Sequence, residues 1–190
     1  MLKELVMKNR SYRRFHGDHR ISRNALEEII DLARMTASAG NKQPLKYYLS
    51  FDSKSNQLIY PHLAWAGYLS DWSGPIESER PSAYIIMLGD SQISPSFRYD
   101  DGIAAQTILL AAVERGLGGC IIAAVQRENL RTALNISHRF EILLVIALGK
   151  PKETVIIEPI GTDGDIRYWR DQEQKHHVPK RSLREVIVNS

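Results

Sequence analysis

The chain has 190 residues, 43% of them hydrophobic, with 25 Lys and Arg against 22 Asp and Glu and a net charge of +3. That length fits one domain with a substantial core, and so small a charge excess does not compel a nucleic-acid partner. Cys120 stands alone and excludes an internal disulfide, while Lys3 and Glu4 interrupt any signal-peptide core and the apolar run at 142–148 is too short to span a bilayer. A soluble, cytoplasmic protein is the expectation.

In chain order, NRSYRRFHGDHR (9–20) comes first, gathering Arg10, Arg13, Arg14 and Arg20 around Ser11. Guanidinium forks match phosphate oxygens bidentately, and a serine hydroxyl adds a further hydrogen bond. In a helix or tight loop Arg10, Arg13 and Arg14 share one face. A solvated basic edge accounts for the stretch about as well.

Leu26, Ile29, Ile30, Ala33 and Ala37 recur at helical spacing and predict a helix over 22–38, with Asn24 and Glu27 as a capping box and Gly40 as the stop. ASAGNKQP (37–44) then joins helix to strand. It holds two side-chain amides, a hydroxyl and exposed backbone, which a flat, hydrogen-bonding ligand could use. Strands are expected at 46–51, 83–88, 120–125 and 141–149, and partial helix over 55–72 with Pro61 near a start. The strands at 83–88 and 141–149 are apolar without alternation, as strands covered on both faces are.

The clearest helix lies within 100–119. Asp100 or Asp101 caps it, Gly116 ends it, and from Ile103 to Val113 it is apolar almost all round. Such a helix belongs in a core or a large interface. RENLRTAL (127–134) is a shorter helix, and from about 150 the chain reads as an extended polar tail that wraps the molecule or a partner subunit. Alternating helices and buried strands give a sheet with helices on both faces.

Catalytic side chains are hard to find. RGLGGC (115–120) runs helix–glycines–strand, the reverse of a phosphate-cradling loop. His176 and His177 are adjacent and point opposite ways in an extended chain, with no further ligand at metal spacing. DGD (163–165) reads as a turn, Cys120 as a small core residue, and no serine sits in a nucleophile elbow. An anion site and an amide-rich loop remain, in a protein whose chemistry a bound cofactor would supply.

Taken in order, RSYRRF, SAGNKQP, DGIAAQTILLAAVERGLGGC and LVIALGKPKE resemble the nitroreductase family, and YWRD followed by HHVPKRSL resembles the tail of one of its branches. The resemblance covers most of the chain. It implies an α+β fold with a central mixed or antiparallel sheet, in an intertwined homodimer of one-domain chains (1–190). It implies FMN at the dimer interface and ping-pong hydride transfer from NADH or NADPH to a small acceptor, such as a nitroaromatic or a quinone.

On the family pattern Arg10, Ser11 and Arg13 hold the FMN phosphate and ribityl chain, and Lys180 and Arg181 complete that site. Ser38, Ala39 and Asn41, with Gln43 beside them, line the flavin from the other chain. The backbone of Ala123 and Ala124 faces its reactive edge, where many members carry glutamate and glycine. Trp65, Tyr68 and Trp72 cover the flavin or belong to core or interface. An FMN store or sensor without turnover is the competing reading; a nucleic-acid domain using Tyr12 and Phe15 among the arginines is a remote third.

Overall fold

The computed structural model describes residues 1–189. A short helix, α1 (Leu2–Lys8), which the sequence patterns do not announce, leads in. The central sheet has four strands: β1 (Leu45–Ser50), β2 (Ala83–Asp90), β3 (Gly118–Ile122) and β4 (Phe140–Gly149). Their order is β1-β2-β4-β3, and every neighbouring pair is antiparallel.

β2 and β4 lie in the middle and are apolar because both faces are covered. Alternation assigns their side chains to two cores. Ile85, Met87, Ile146 and Leu148 pack with Leu26 and Ile29 of α2 (Arg23–Ala33) and with Ile108 of α4 (Asp100–Glu114). Tyr84, Ile86, Val145 and Ala147 pack on the other face with Ile59 of α3 (Ser53–Ile59) and Leu130 of α5 (Arg127–Leu134). Cys120 is buried there, and burial pushes its thiol up to about 12.

Several expected boundaries move. α2 ends at Ala33 rather than 38, because the Thr36 hydroxyl takes the Ala33 carbonyl (2.7 Å). Its cap is Ser22, whose Oγ accepts from the Ala25 N–H; Asn24 donates to Glu28 instead, so there is no Asn24–Glu27 box. Gly40 lies beyond, at φ 58° in a 3-10 turn. α3 starts at Ser53 under an Asp52 cap and stops at Ile59; Pro61 sits in the 3-10 turn that follows. β3 begins two residues earlier than expected and ends at Ile122. Neither Asp100 nor Asp101 caps α4: its N-cap is Tyr99, at φ 73°. α4 is also not buried all round, since Ile103 is 40% exposed.

The tail is extended chain that pairs with itself. It makes a second sheet of β5 (Val155–Pro159), β6 (Trp169–Arg170) and β7 (His176–Lys180), in the order β5-β7-β6, with β5 and β7 parallel. A final turn, α6 (Leu183–Val186), is capped by Ser182.

Gly119 places the N-terminal segment. Its carbonyl accepts the Tyr12 N–H (3.0 Å), and Ser11 bridges to it in parallel. A Cβ there would meet the Ala147 carbonyl oxygen at 2.2 Å and Leu148 Cδ2 at 2.8 Å. Gly119→Ala should therefore cost at least ~1–3 kcal/mol in urea unfolding, the range for overpacking. An unchanged midpoint would contradict this packing.

Candidate anion-binding site

The segment after α1 runs beside β3 and is zipped to the chain leaving β4. Phe15 pairs with Pro151, His16 N–H donates to the Lys150 carbonyl (2.9 Å), and Lys152 N–H donates to that of Arg14 (2.9 Å). Glu153 sits within this zip, its side chain fully buried (0%). Its Oε1 accepts the backbone N–H of Arg13 and of Arg14, and its Oε2 accepts from Arg170 (3.0 Å). Burial pulls the Arg170 guanidinium below its ordinary value, and Glu153 opposes that shift. The same guanidinium lies over the Trp72 ring at 4.2 Å.

Arg14 leaves the arginine cluster and forks onto buried Glu79 (2.5 and 2.8 Å), which also meets Lys152 (2.9 Å). The hydrogen bond from Arg14 is the largest influence lowering Glu79 to about 2. Arg14 is thus a structural brace and does not share a binding face with Arg10 and Arg13.

Arg10, Ser11, Arg13 and Lys180 do converge. They open onto one cavity of about 430 Å³, with Gln106 and Leu109 of α4, Ile121 of β3, and Tyr168 and His176 of the tail. No carboxylate lines it among the described residues. Arg13 Nη1 approaches the Ser11 carbonyl (3.3 Å) and His176 Nε2 (3.2 Å), and its guanidinium lies over Tyr168 at 4.8 Å. Arginine only donates, so His176 Nε2 accepts and its Nδ1 carries the hydrogen. Burial, then Arg13, lowers His176 to about 4, which keeps it neutral near pH 7.

Two donors are left over. Arg10 donates Nη2 to the Val6 carbonyl (2.5 Å), but its buried Nε has no partner among the described residues; nor has His176 Nδ1. Buried donors left unpaired cost stability. Acceptor oxygens entering beside Arg10, Arg13 and Lys180 would satisfy such groups, and a phosphate supplies them. The residues present fit a phosphate-bearing ligand.

The other expected residues lie apart from this cavity. Ser38 donates to Asp100 Oδ2 (2.6 Å) and accepts from Gln43 N–H (2.9 Å), while Ala39 N–H donates to Asp100 Oδ1 (2.9 Å). Ser38's hydroxyl therefore braces the loop. Gln43 Nε2 donates to Asn41 Oδ1 (3.1 Å), and Asn41 and Gln43 are exposed at φ 53° and 52°. Asp100 anchors this loop at the start of α4, and Gln106 lies about 9 Å further along the same helix. Ala123 and Ala124 are exposed just past β3. Their carbonyls accept from Arg127 (3.2 Å) and from Ala64 N–H (3.0 Å). Arg181 does not line the cavity and pairs with Glu185 at 3.6 Å.

Sequence reasoning missed Glu153, Arg170, Tyr168, His176 and Gln106 as parts of the site. Arg13 and Glu153 meet across 140 residues, so no local pattern links them. Of the three aromatics, Trp65 is core beside Tyr60, Trp72 lies under Arg170, and Tyr68 packs on Tyr168 at 4.9 Å. No cluster of three or more metal-ligating side chains occurs among the described residues, and no helix there is long and apolar enough to cross a membrane.

These features define a class: an α+β protein with an antiparallel sheet coated on both faces and a cavity lined by Arg10, Arg13 and Lys180 beside its edge strand β3. The chain belongs to the nitroreductase family, whose model matches residues 6–71 and 81–150. A relative from Archaeoglobus fulgidus, provisionally named an NADH dehydrogenase/NAD(P)H nitroreductase, is 28% identical over 149 residues (74% of this chain, 80% of its own). The Bacillus subtilis protein provisionally named NAD(P)H nitroreductase MhqN is 24% identical over 189 residues, 78% of this chain and 87% of its own. Among solved structures, an FMN-dependent nitroreductase from Clostridium difficile R20291 shares the fold at TM-score 0.63 and 19% identity, covering 78% of this chain and 86% of its own. The Bacillus subtilis protein ydfN aligns at TM-score 0.69 and 19% identity over 98% of this chain and 97% of its own.

His176 sets a pH dependence. Its folded value of about 4 lies below the ordinary 6.5, so between those limits the unfolded chain binds a proton that the folded chain refuses. Its stabilising contribution is complete above 6.5 and is lost as pH falls toward 4. His177 is raised by Glu158 and acts in the opposite sense, so the comparison must be with a variant. Urea midpoints at pH 7 and pH 5 should show a smaller acid loss in His176→Gln than in the parent; equal losses would contradict the assignment.

Proposed function

We propose that this protein is an FMN-dependent oxidoreductase that takes hydride from NADH or NADPH and passes it to a small acceptor, a nitroaromatic or a quinone, by ping-pong kinetics. The observation that carries this is the cavity: among the described residues, Arg10, Ser11, Arg13 and Lys180 converge with unpaired donors and no carboxylate, in a chain of the nitroreductase family. Arg10, Arg13 and Lys180 would hold the phosphate, and Ser11 the adjoining hydroxyl-bearing chain. Bound there, FMN would supply the redox chemistry, as a carrier that accepts and donates hydride.

The protein's part is then binding and orientation. Arg13 is held by Tyr168, His176 and the Ser11 carbonyl, so little ordering remains when an anion arrives. Ser38, Ala39, Asn41 and Gln43 lie away from the cavity of their own chain, which suits a homodimer in which each loop lines the partner's flavin. The loop's left-handed residues present the Asn41 and Gln43 amides outward, where they would bond a flat ring. Ala123 and Ala124 would supply exposed backbone at the ring's reactive edge, and Arg181 would add charge outside the cavity. We place the protein in the cytoplasm, where NADH and NADPH are available, and read residues 1–190 as one domain.

The purified protein should be yellow, and anaerobic NADH or NADPH should bleach it, with colour restored by a quinone. A protein that keeps its flavin but is bleached by neither nicotinamide would be an FMN store or sensor instead.

The phosphate assignment makes a separate demand. Arg13→Ala should weaken FMN binding about ten- to a hundredfold, the loss expected for one charge-assisted hydrogen bond worth ~1.5–3 kcal/mol. Arg20→Ala, which lies outside the cavity, should leave it unchanged. Superimposable FMN titrations for the two variants would move the phosphate elsewhere.

A further inference from the structure

A second pocket, of about 190 Å³, shares no lining residue with the first. Gly17, Arg20, Asn56, Tyr60, Arg80 and Ser82 line it. The Arg80 guanidinium lies over the Tyr60 ring at 3.8 Å. It forms no ion pair or hydrogen bond among the described residues, and its Nε is buried without a partner. Ser82 is 3% exposed, and its Oγ is likewise buried and unpartnered.

The neighbouring polar groups are engaged elsewhere or leave these donors unpaired. Asn56 is committed on both sides: Nδ2 donates to the Ser82 carbonyl (2.8 Å) and Oδ1 accepts from Ser50 (2.7 Å). Tyr60 donates its hydroxyl to the Pro75 carbonyl (2.8 Å). Arg20 is exposed at the mouth and has no partner among the described residues. Among the described residues Glu77 is the one carboxylate in the lining, and it pairs with neither arginine.

We propose that this pocket is a second binding site, for a compact oxyanion: inorganic phosphate or a small carboxylic acid. Arg80 presents a planar fork already fixed on Tyr60, which matches two oxygens of one anion. Ser82 adds a neutral donor from the pocket wall, and Arg20 closes the mouth with a second charge. The space bounds the ligand, since a cavity of about 150 Å³ admits benzene. Phosphate fits with room left over, and benzoate marks the upper size. The assignment stands on these residues alone and holds whether or not the first cavity takes FMN.

Isothermal titration of the full chain tests it, with sodium phosphate and sodium benzoate as probes and sodium chloride at matched ionic strength as the reference. Each probe is titrated into the wild-type protein and into Arg13→Ala, which removes a cation from the first cavity only. At least one probe should bind saturably in both, and which one binds identifies the anion class. Arg80→Gln should weaken that binding about ten- to a hundredfold, and Arg20→Gln by a smaller factor. Ser82→Ala deletes only a hydroxyl, so it carries the test if Arg80→Gln fails to fold; a severalfold loss is expected. No saturable binding of either probe overturns the proposal. So does binding abolished by Arg13→Ala, or binding untouched by Arg80→Gln or, should that variant not fold, by Ser82→Ala.

Discussion

The buried carboxylate of Glu153 is the contact on which the arrangement turns. It joins three pieces of chain that are remote in sequence: the Arg13–Arg14 backbone, the exit of β4 and the β6 strand of the tail. A buried carboxylate is tolerable only when paired and hydrogen-bonded, and Glu153 has both an arginine and two backbone N–H groups. Removing it would strand the nearly buried Arg170 guanidinium and free the N-terminal segment at once. The first cavity exists because this junction holds the donor-bearing strands face to face.

The main sheet supplies the rigid ground for that junction. β3 is an edge strand, and its glycines let the N-terminal segment lie close along it. α4 covers one face and lends Gln106 and Leu109 to the cavity wall, while its first turn grips the loop at Ser38 and Ala39 through Asp100. One helix thus positions two separated groups of polar residues, both supported by well-packed structure rather than by free loops.

Much of the scaffold was legible because it rests on local patterns. Unbroken apolar runs at 83–88 and 141–149 betrayed strands covered on both faces, and β2 and β4 are those strands. The arginine cluster predicts a shared face, and Arg10 and Arg13 do line one cavity while Arg14 turns to Glu79. What stayed hidden depends on distant partners. Nothing near Arg14 announces Glu79, and nothing near Asp100 says that its carboxylate serves the 38–39 loop instead of its own helix. The pairing within the tail stayed hidden for a related reason: β5 and β7 meet across an intervening stretch, so each alone reads only as extended polar chain.

The second sheet and the family match occupy different parts of the chain. The family match stops at residue 150, yet Tyr168, His176 and Lys180 in the cavity wall all lie beyond it. The main scaffold and the arginine segment fall within the shared portion; much of the opposite wall does not. Glu153 lies beyond the match too, so the carboxylate at the junction and the Arg170 it holds belong to the same part of the chain as that wall. Changes confined to that part would reshape the cavity's polarity and mouth while leaving the main sheet intact. Kinship judged on the matched portion alone then says little about which molecules this cavity admits.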